Sequence, residues 1–468
     1  MEPTLVAFAA LLLWPVVSLV LFQTRPIGQA ILWTVLGGYL LLPVGTEIKF
    51  EGIPKFDKSS IPSIAAFLGC LLVARQPLRF RNGFGLAEVL LLAMLIGPFI
   101  TSQLNTDPIV VGNRVLPGVG SYDALSSVVA QLFVLMPFFL GRQFLRSAAD
   151  NMDVLRVLVI AGLAYSLPML FEVRMSPQLH TWVYGYFPHS FVQQMREGGF
   201  RPVVFLGHGL LVAFFAMTSA VAAAALWRTG VRVAGVPAGV ITGYLGAVLV
   251  LCKTLGALVY GAVLVPLVRF MSPRIQMRVA VALVGIALLY PMLRAADLFP
   301  TAAVLDAAHS VSDDRAASMK FRFDNEDQLL ARAWDRFWFG WGRYGRNRVY
   351  DDESGQDVSI TDGRWVITMG QYGFVGFLAE FGLLGLAVVR AARAMRYAAS
   401  GPEAVFLCAL ALIVAINMID LLPNSSISPW TWLLTGALLG RAEALRLSFP
   451  SRAPYSVAPA LRGAAEAP

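Results

Sequence analysis

The feature that most constrains this chain of 468 residues is a succession of apolar runs, most of them carrying no charge. A run of about 20 such residues crosses a bilayer as a helix. In hydrocarbon every backbone N–H and C=O must be bonded within the segment, so helices and closed barrels are the only spanning solutions. The ten-residue alternating strands of a barrel are absent, and the expected class is therefore all-α, a polytopic membrane protein of about 12–14 helices. The runs are Leu5–Phe22, Gly28–Val44, Ile61–Ala74, Leu86–Ile100, Ser126–Leu140, Val154–Phe171, Val203–Trp227, Val233–Leu251, Ala257–Phe270, Val279–Leu293, Trp365–Val389, Val405–Asp420 and Trp430–Leu439. Residues 1–446 read as one transmembrane domain, and residues 447–468, rich in Pro and Ala, as a disordered cytoplasmic tail. The first run begins Met-Glu-Pro without a basic leader or a small-residue cleavage site, so it is expected to be retained.

Arginines cluster after alternate runs: Arg75, Arg79 and Arg81; Arg142 and Arg146; Arg228 and Arg232; Arg269, Arg274 and Arg278; Arg390, Arg393 and Arg396. The positive-inside bias makes those connections cytoplasmic, together with Arg446, Arg452 and Arg462 of the tail. Residues 45–60, 105–122, 172–202 and 293–364 then lie outside. This arrangement also accounts for the net charge of +8, whose basic residues form no continuous patch for nucleic acid. Cys70, Cys252 and Cys408 fall in or beside apolar runs with no pairing pattern and read as structural. No internal repeat is evident, which argues against an inverted-repeat transporter.

Charge is concentrated in one outer segment. Asp306–Arg364 holds 21 of the 66 charged residues and is too long for a bare connector. Asp324-Asn-Glu-Asp327 resembles an acidic helix start, and Leu329, Leu330, Ala333 and Phe337 recur at helical spacing with Arg332, Asp335 and Arg336 off that stripe. The pattern predicts an amphipathic helix on the outer membrane surface, ended by Gly340 and Gly342, within a periplasmic loop spanning 293–364. Trp334 and its aromatic neighbours suit the membrane–water boundary or the faces of sugar rings.

Each chemically suggestive residue has a plain alternative. Arg201, in Gly198-Gly-Phe-Arg-Pro202, is either a headgroup anchor or a bidentate phosphate ligand at the mouth of a span. His208 is either a satisfied buried histidine or a catalytic one, and Lys253 lies within reach of the same region. Arg322, followed by Asn325, Glu326, Arg332 and Arg336, is either part of a solvated face or a guanidinium set for an anion, with Glu326 as a nearby carboxylate. Asp362, in Thr361-Asp-Gly363, either caps the next helix or acts as a general base. Glu88, Lys253, Glu380 and Asp420 sit within or at the ends of spans, where an unpaired charge is costly; Glu88 and Glu380 read as structural pairs toward the inner side. Gly340-Trp-Gly-Arg-Tyr-Gly345 matches a dinucleotide fingerprint literally but lacks the strand and βαβ unit that give the pattern meaning. The four histidines show no zinc spacing, and Asp351-Asp-Glu353 with Asp357 lacks the ligand alternation of a calcium loop.

An outer site rich in arginine, without a phosphate-binding loop, needs a donor already activated in the membrane. A polyprenyl-diphosphate-linked sugar meets that need, because guanidinium groups stabilise the leaving anion while a carboxylate or histidine deprotonates the acceptor. The order Arg322, Asn325-Glu326, Arg332-Ala-Trp334, Phe339-Gly-Trp-Gly342, Thr361-Asp-Gly363 and Gly370-Gln-Tyr-Gly-Phe-Val-Gly376 resembles the C-terminal signature of the bacterial O-antigen ligase and polysaccharide polymerase superfamily. Gly199-Phe-Arg-Pro202 with Gly207-His208 resembles that superfamily's earlier periplasmic loop. The resemblance implies a membrane glycosyltransferase (GT-C-like) fold in the bacterial inner membrane with its active site facing the periplasm. It implies a donor glycan on undecaprenyl diphosphate, no cofactor, and a place beside flippase and chain-length or export proteins. By motif position Arg201 and Arg322 would contact the diphosphate, and Asp362 stands where ligases commonly show a histidine, which favours a polymerase over a ligase. The competing classes are a flippase for lipid-linked oligosaccharides and a non-enzymatic assembly subunit.

Overall fold

In the computed structural model each of the thirteen apolar runs lies on a helix, and the helices are α1 (Leu5–Thr24), α2 (Ile27–Leu41), α3 (Ser60–Leu68, continued by a π-turn over Gly69–Val73), α4 (Leu86–Gln103), α5 (Ser121–Phe144), α6 (Ala148–Met175), α7 (Leu179–Tyr184), α8 (Gly209–Arg228), α9 (Ala238–Leu251), α10 (Leu255–Phe270), α11 (Pro273–Ala295), α12 (Thr301–His309), α13 (Asp313–Trp334), α14 (Arg364–Ala394), α15 (Pro402–Asp420) and α16 (Pro429–Ser448). The structure describes residues 3–50, 53–77, 83–196, 198–310, 312–398, 401–425 and 427–448; Arg79, Arg81, Arg452, Arg462 and all of the expected tail beyond residue 448 lie outside them. The only strands among the described residues form four short hairpins, including Glu47–Phe50 with Ile53–Asp57 and Met195–Arg196 with Gly199–Phe200.

The chain is mostly helical, and eight of these helices are long and apolar enough to cross a membrane: α1, α4, α5, α6, α8, α11, α14 and α15. That count is lower than the expected 12–14 because four apolar helices, α2, α3 with its π-turn, α9 and α10, have only 10–17 residues. Such lengths fall short of a bilayer core of about 30 Å. The centre of the bundle is α8 and α15. Residues Ala220–Leu226 of α8 and Leu407–Ala415 of α15 are almost wholly shielded, and their many alanines let neighbouring backbones approach closely.

Three expectations about individual elements change. The run from Val203 is not helical until Gly209, because Pro202 and the positive φ of Val204 and Gly207 keep the entry irregular. The surface helix begins at Asp313, so Asp324-Asn-Glu-Asp327 lies inside it and does not cap it. There Lys320 pairs with Asp324 at 2.9 Å, and Arg294 of α11 pairs with Asp327 at 2.5 Å.

The third change concerns α14, which is broken. Gly373 has φ 67° and ψ −167°, and a Cβ there would lie 2.3 Å from the carbonyl carbon of Trp338. Arg364 Nη2 meets Glu380 Oε1 at 2.6 Å although the two are 16 residues apart. A continuous helix would separate them by about 24 Å along its axis. The first half therefore doubles back on the second, and Glu380 lies against the start of the helix. The backbone groups freed by the break are bonded by the loop after α13. Trp341 N–H donates to Gly370 O (2.8 Å) and Gly342 N–H to Gln371 O (2.9 Å), while Phe374 N–H donates to Phe337 O (2.6 Å) and Val375 N–H to Trp338 O (3.2 Å). The glycine-rich stretch that mimics a dinucleotide motif is thus a clamp on a broken helix.

Candidate functional site

Asn325 of α13 fixes the position of Asp362. Its Nδ2 donates to Phe321 O at 2.7 Å, and its Oδ1 accepts from the N–H of Ile360 at 2.9 Å, so the extended stretch before α14 is fastened to the surface helix. Arg364 N–H donates to Leu421 O and Asn424 O, at 2.9 and 3.0 Å, and ties the same stretch to the turn after α15. Between these attachments Arg322 Nε stands 3.6 Å from Asp362 Oδ2. Arg322 Nη1 faces Pro423 O at 3.4 Å. Phe321, Arg322, Asn325, Glu326, Ile360, Asp362, Val366 and Pro423 line a cleft of about 270 Å³. Arg322 and Asp362 remain 35% and 45% exposed, open to a ligand from outside.

Glu326 is deeper. Tyr290 donates to its Oε2 at 2.8 Å, and Arg294 Nε lies 3.5 Å from the same oxygen. Burial pushes its carboxyl pKa up, against the lowering effects of Tyr290 and Arg294. One of its oxygens is thus committed to bracing α13 against α11.

A second group of candidate residues lies in the stretch 198–208. Glu172, at the end of α6, accepts from Val203 and Val204 N–H through Oε2 at 2.7 Å each and from Leu179 N–H through Oε1 at 2.9 Å. Two of these donors hold the stretch before α8 away from helical geometry, and the third fastens it to the start of α7. In the hairpin before it, Gly199 pairs with Arg196, has φ +142°, and a Cβ there would sit 3.0 Å from Lys253 Nζ. Arg201 Nε donates to Lys253 O at 3.2 Å. Lys253 is thereby placed beside Arg201.

His208 is the N-cap of α8, and its Nδ1 accepts from Leu210 N–H at 3.1 Å. Nε2 therefore carries the proton of the neutral ring and faces Gln193 Oε1 at 3.4 Å, with His189 packed edge-on at 4.8 Å between ring centroids. Burial lowers the pKa of His208 from 6.5 to about 4, reinforced by the positive fields of His189, Arg201, Arg196 and Arg322. Arg196 and Arg201 of the earlier loop and Arg322 of the later one thus all lie near enough to His208 to act on its charge.

Arg332, Arg336 and Trp334 belong to a separate cluster. The Arg332 guanidinium lies 3.4 Å from the centre of the Trp341 ring and that of Arg336 lies 4.6 Å from it, while Arg336 Nη1 donates to Leu104 O at 2.6 Å. Trp334 stacks on Phe337 at 4.6 Å with the rings 6° apart. These residues hold the clamp loop and do not face Arg322. Sequence reasoning passed over Glu172, Tyr290, Arg294 and Lys58. The last donates through Nζ to Leu42 O (2.7 Å) and Phe205 O (2.5 Å), and burial lowers its pKa to about 7. Their signal was weak, since a single polar residue at the end of an apolar run is common. Among the described residues no three of His, Cys, Asp and Glu converge as a metal ion would require. No family model matches the chain, and no curated protein matches it.

The geometry makes His208 a cap and a neutral donor. Because its folded pKa lies below the unfolded value, its contribution to stability is present above pH 6.5 and is lost as pH falls toward 4. His208→Asn, which keeps the cap acceptor and an N–H donor, is expected to retain activity within about fivefold, while His208→Ala loses more. Activity of His208→Asn as low as that of the alanine variant, together with a wild-type rate limb near pH 6.5, would instead mark the imidazole as a base.

Proposed function

We propose that the chain is a membrane glycosyltransferase that polymerises glycan repeat units carried on undecaprenyl diphosphate, at the outer face of a bacterial inner membrane. One observation carries the reading: two loops far apart in sequence bring Arg196, Arg201 and Arg322 near enough to His208 to act on its charge, and Asp362 stands 3.6 Å from Arg322. Guanidinium forks suit the oxygens of a diphosphate, whose negative charge grows as the glycosidic C–O bond breaks. The eight spanning helices suit a donor anchored by a polyprenyl tail. The flippase alternative needs a charged pathway through the bundle, whereas these arginines gather at its rim.

The purified protein in liposomes, given lipid-linked repeats alone, is expected to release undecaprenyl diphosphate and to lengthen the glycan. A deletion strain is expected to accumulate single lipid-linked repeats. Full-length polymer still attached to its carrier in that strain would replace the polymerase with a ligase, and no release from the purified protein would remove the enzyme altogether.

A further inference from the structure

Beside Asp420 and the turn that follows it lies a second pocket, roomier than the arginine cleft. It opens between α2, α8, α15 and α16. Its inner part is apolar, with Leu211, Phe214, Ile413 and Leu434, and its other part carries Tyr39, Asn417, Asp420, Ser428, Trp430 and Thr431. Asn417 and Trp430 are 7% and 6% exposed, yet Asn417 Oδ1 and Trp430 Nε1 have no hydrogen-bond partner. Leaving such groups unpaired costs about 1–3 kcal/mol each, so a buried acceptor and a buried donor in one cavity point to a ligand that supplies both. Asp420 accepts from Asn424 Nδ2 at 3.0 Å and forms no ion pair among the described residues. It nevertheless lies in the electrostatic field of Arg322, which ties the cavity to the cleft across the 421–424 turn.

Aromatic faces from Tyr39 and Trp430, interleaved with hydroxyl, amide and carboxyl groups, match a neutral hydroxylated ring better than a prenyl chain, which could pair with none of the polar groups. We infer that this cavity holds the acceptor sugar of the transfer reaction and that Asp420 is the carboxylate receiving the acceptor's proton. The inference rests on the function proposed above. In the step, the acceptor hydroxyl oxygen bonds to the anomeric carbon of the donor, and the bond from that carbon to the diphosphate oxygen breaks. The electron pair leaves with undecaprenyl diphosphate, whose charge Arg322 and Arg201 stabilise. The hydroxyl proton passes to Asp420 and from there to water.

Three proteins in nanodiscs test this: the wild type, Asp420→Asn, and Val414→Phe, which fills the cavity without touching the carboxylate. The probes are the free oligosaccharide repeat released from the cell's own polymer, followed by ligand-observed NMR, and native lipid-linked repeats, followed by undecaprenyl diphosphate release. The oligosaccharide is expected to bind the wild type and Asp420→Asn but not Val414→Phe. Transfer by Asp420→Asn is expected to fall about 100-fold or more, as for loss of a general base, with binding of undecaprenyl diphosphate unchanged. Transfer by Asp420→Asn within fivefold of wild type, or oligosaccharide binding undiminished by Val414→Phe, would overturn the inference. A wild type that binds oligosaccharide in the cavity yet releases no undecaprenyl diphosphate would remove the transferase reading and leave the sugar site standing.

Discussion

On the function proposed above, Arg322→Lys is expected to lower glycan transfer about 100-fold or more while the protein accumulates and folds as before. The side chain is about one-third exposed, and its contacts, Asp362 at 3.6 Å and Pro423 O at 3.4 Å, are too long to contribute much to stability. What lysine cannot reproduce is the planar fork, which faces the Asp362 carboxylate with one edge and leaves other N–H groups for a second set of oxygens. The measurement is release of undecaprenyl diphosphate by the purified variant in liposomes. A rate within threefold of wild type would reduce Arg322 to a surface charge. The loss should appear mainly in kcat, because the anion gains charge as the bond breaks and the guanidinium contact strengthens at that moment.

The second large effect is on stability. Glu380→Ala is expected to destabilise the protein by about 3–5 kcal/mol, because it strands the partners of a buried carboxylate. Arg364 reaches both Glu380 oxygens, at 2.6–3.1 Å, and Thr368 donates to Oε2 at 2.6 Å. Only 4% of the Glu380 side chain is exposed. Removing both charges together, as Arg364→Met with Glu380→Leu, should recover much of the loss, since a well-packed apolar pair avoids the desolvation cost. Thermal unfolding in detergent separates these cases, and a penalty below about 1 kcal/mol for Glu380→Ala would place the pair in solvent. Because Arg364 also anchors the stretch that carries Asp362, activity should fall in the single variant even at temperatures where it stays folded.

The helical framework was legible because burial in lipid imposes a single demand on every residue of a run; each run carries helix, although only eight of the helices are long and apolar enough to cross. The break in α14 was hidden for the same reason. Gly370-Gln-Tyr-Gly-Phe-Val-Gly376 stays uncharged through Gly373, so hydropathy cannot distinguish a straight span from one that doubles back. Its position depends on Phe337, Trp338, Trp341 and Gly342, which belong to another element. The arginines near His208 were visible as residue types at span ends, but their convergence required two loops to meet. Arg332 and Arg336, close to Arg322 in sequence, turn instead toward Trp341, because ten further residues carry Arg332 to another face and depth of α13 and Arg336 lies beyond the helix's end. The acidic run at Asp324 imitated a helix start, although its carboxylates serve Lys320 and Arg294 from within the helix.

The clamp on the broken helix also bears on the order of biogenesis. The two halves of α14 place bare carbonyls at Gly370 and Gln371 and bare N–H groups at Phe374 and Val375 in a span flanked by apolar neighbours. Every residue that bonds them lies between Phe337 and Gly342, upstream in the chain, and so leaves the ribosome first. The partners have already been made when α14 enters the insertion machinery, and the kinked span can be closed as it emerges. A version of the protein with the outer segment supplied from a separate, later-made polypeptide should therefore insert α14 poorly, even if the two pieces together hold every contact of the intact chain.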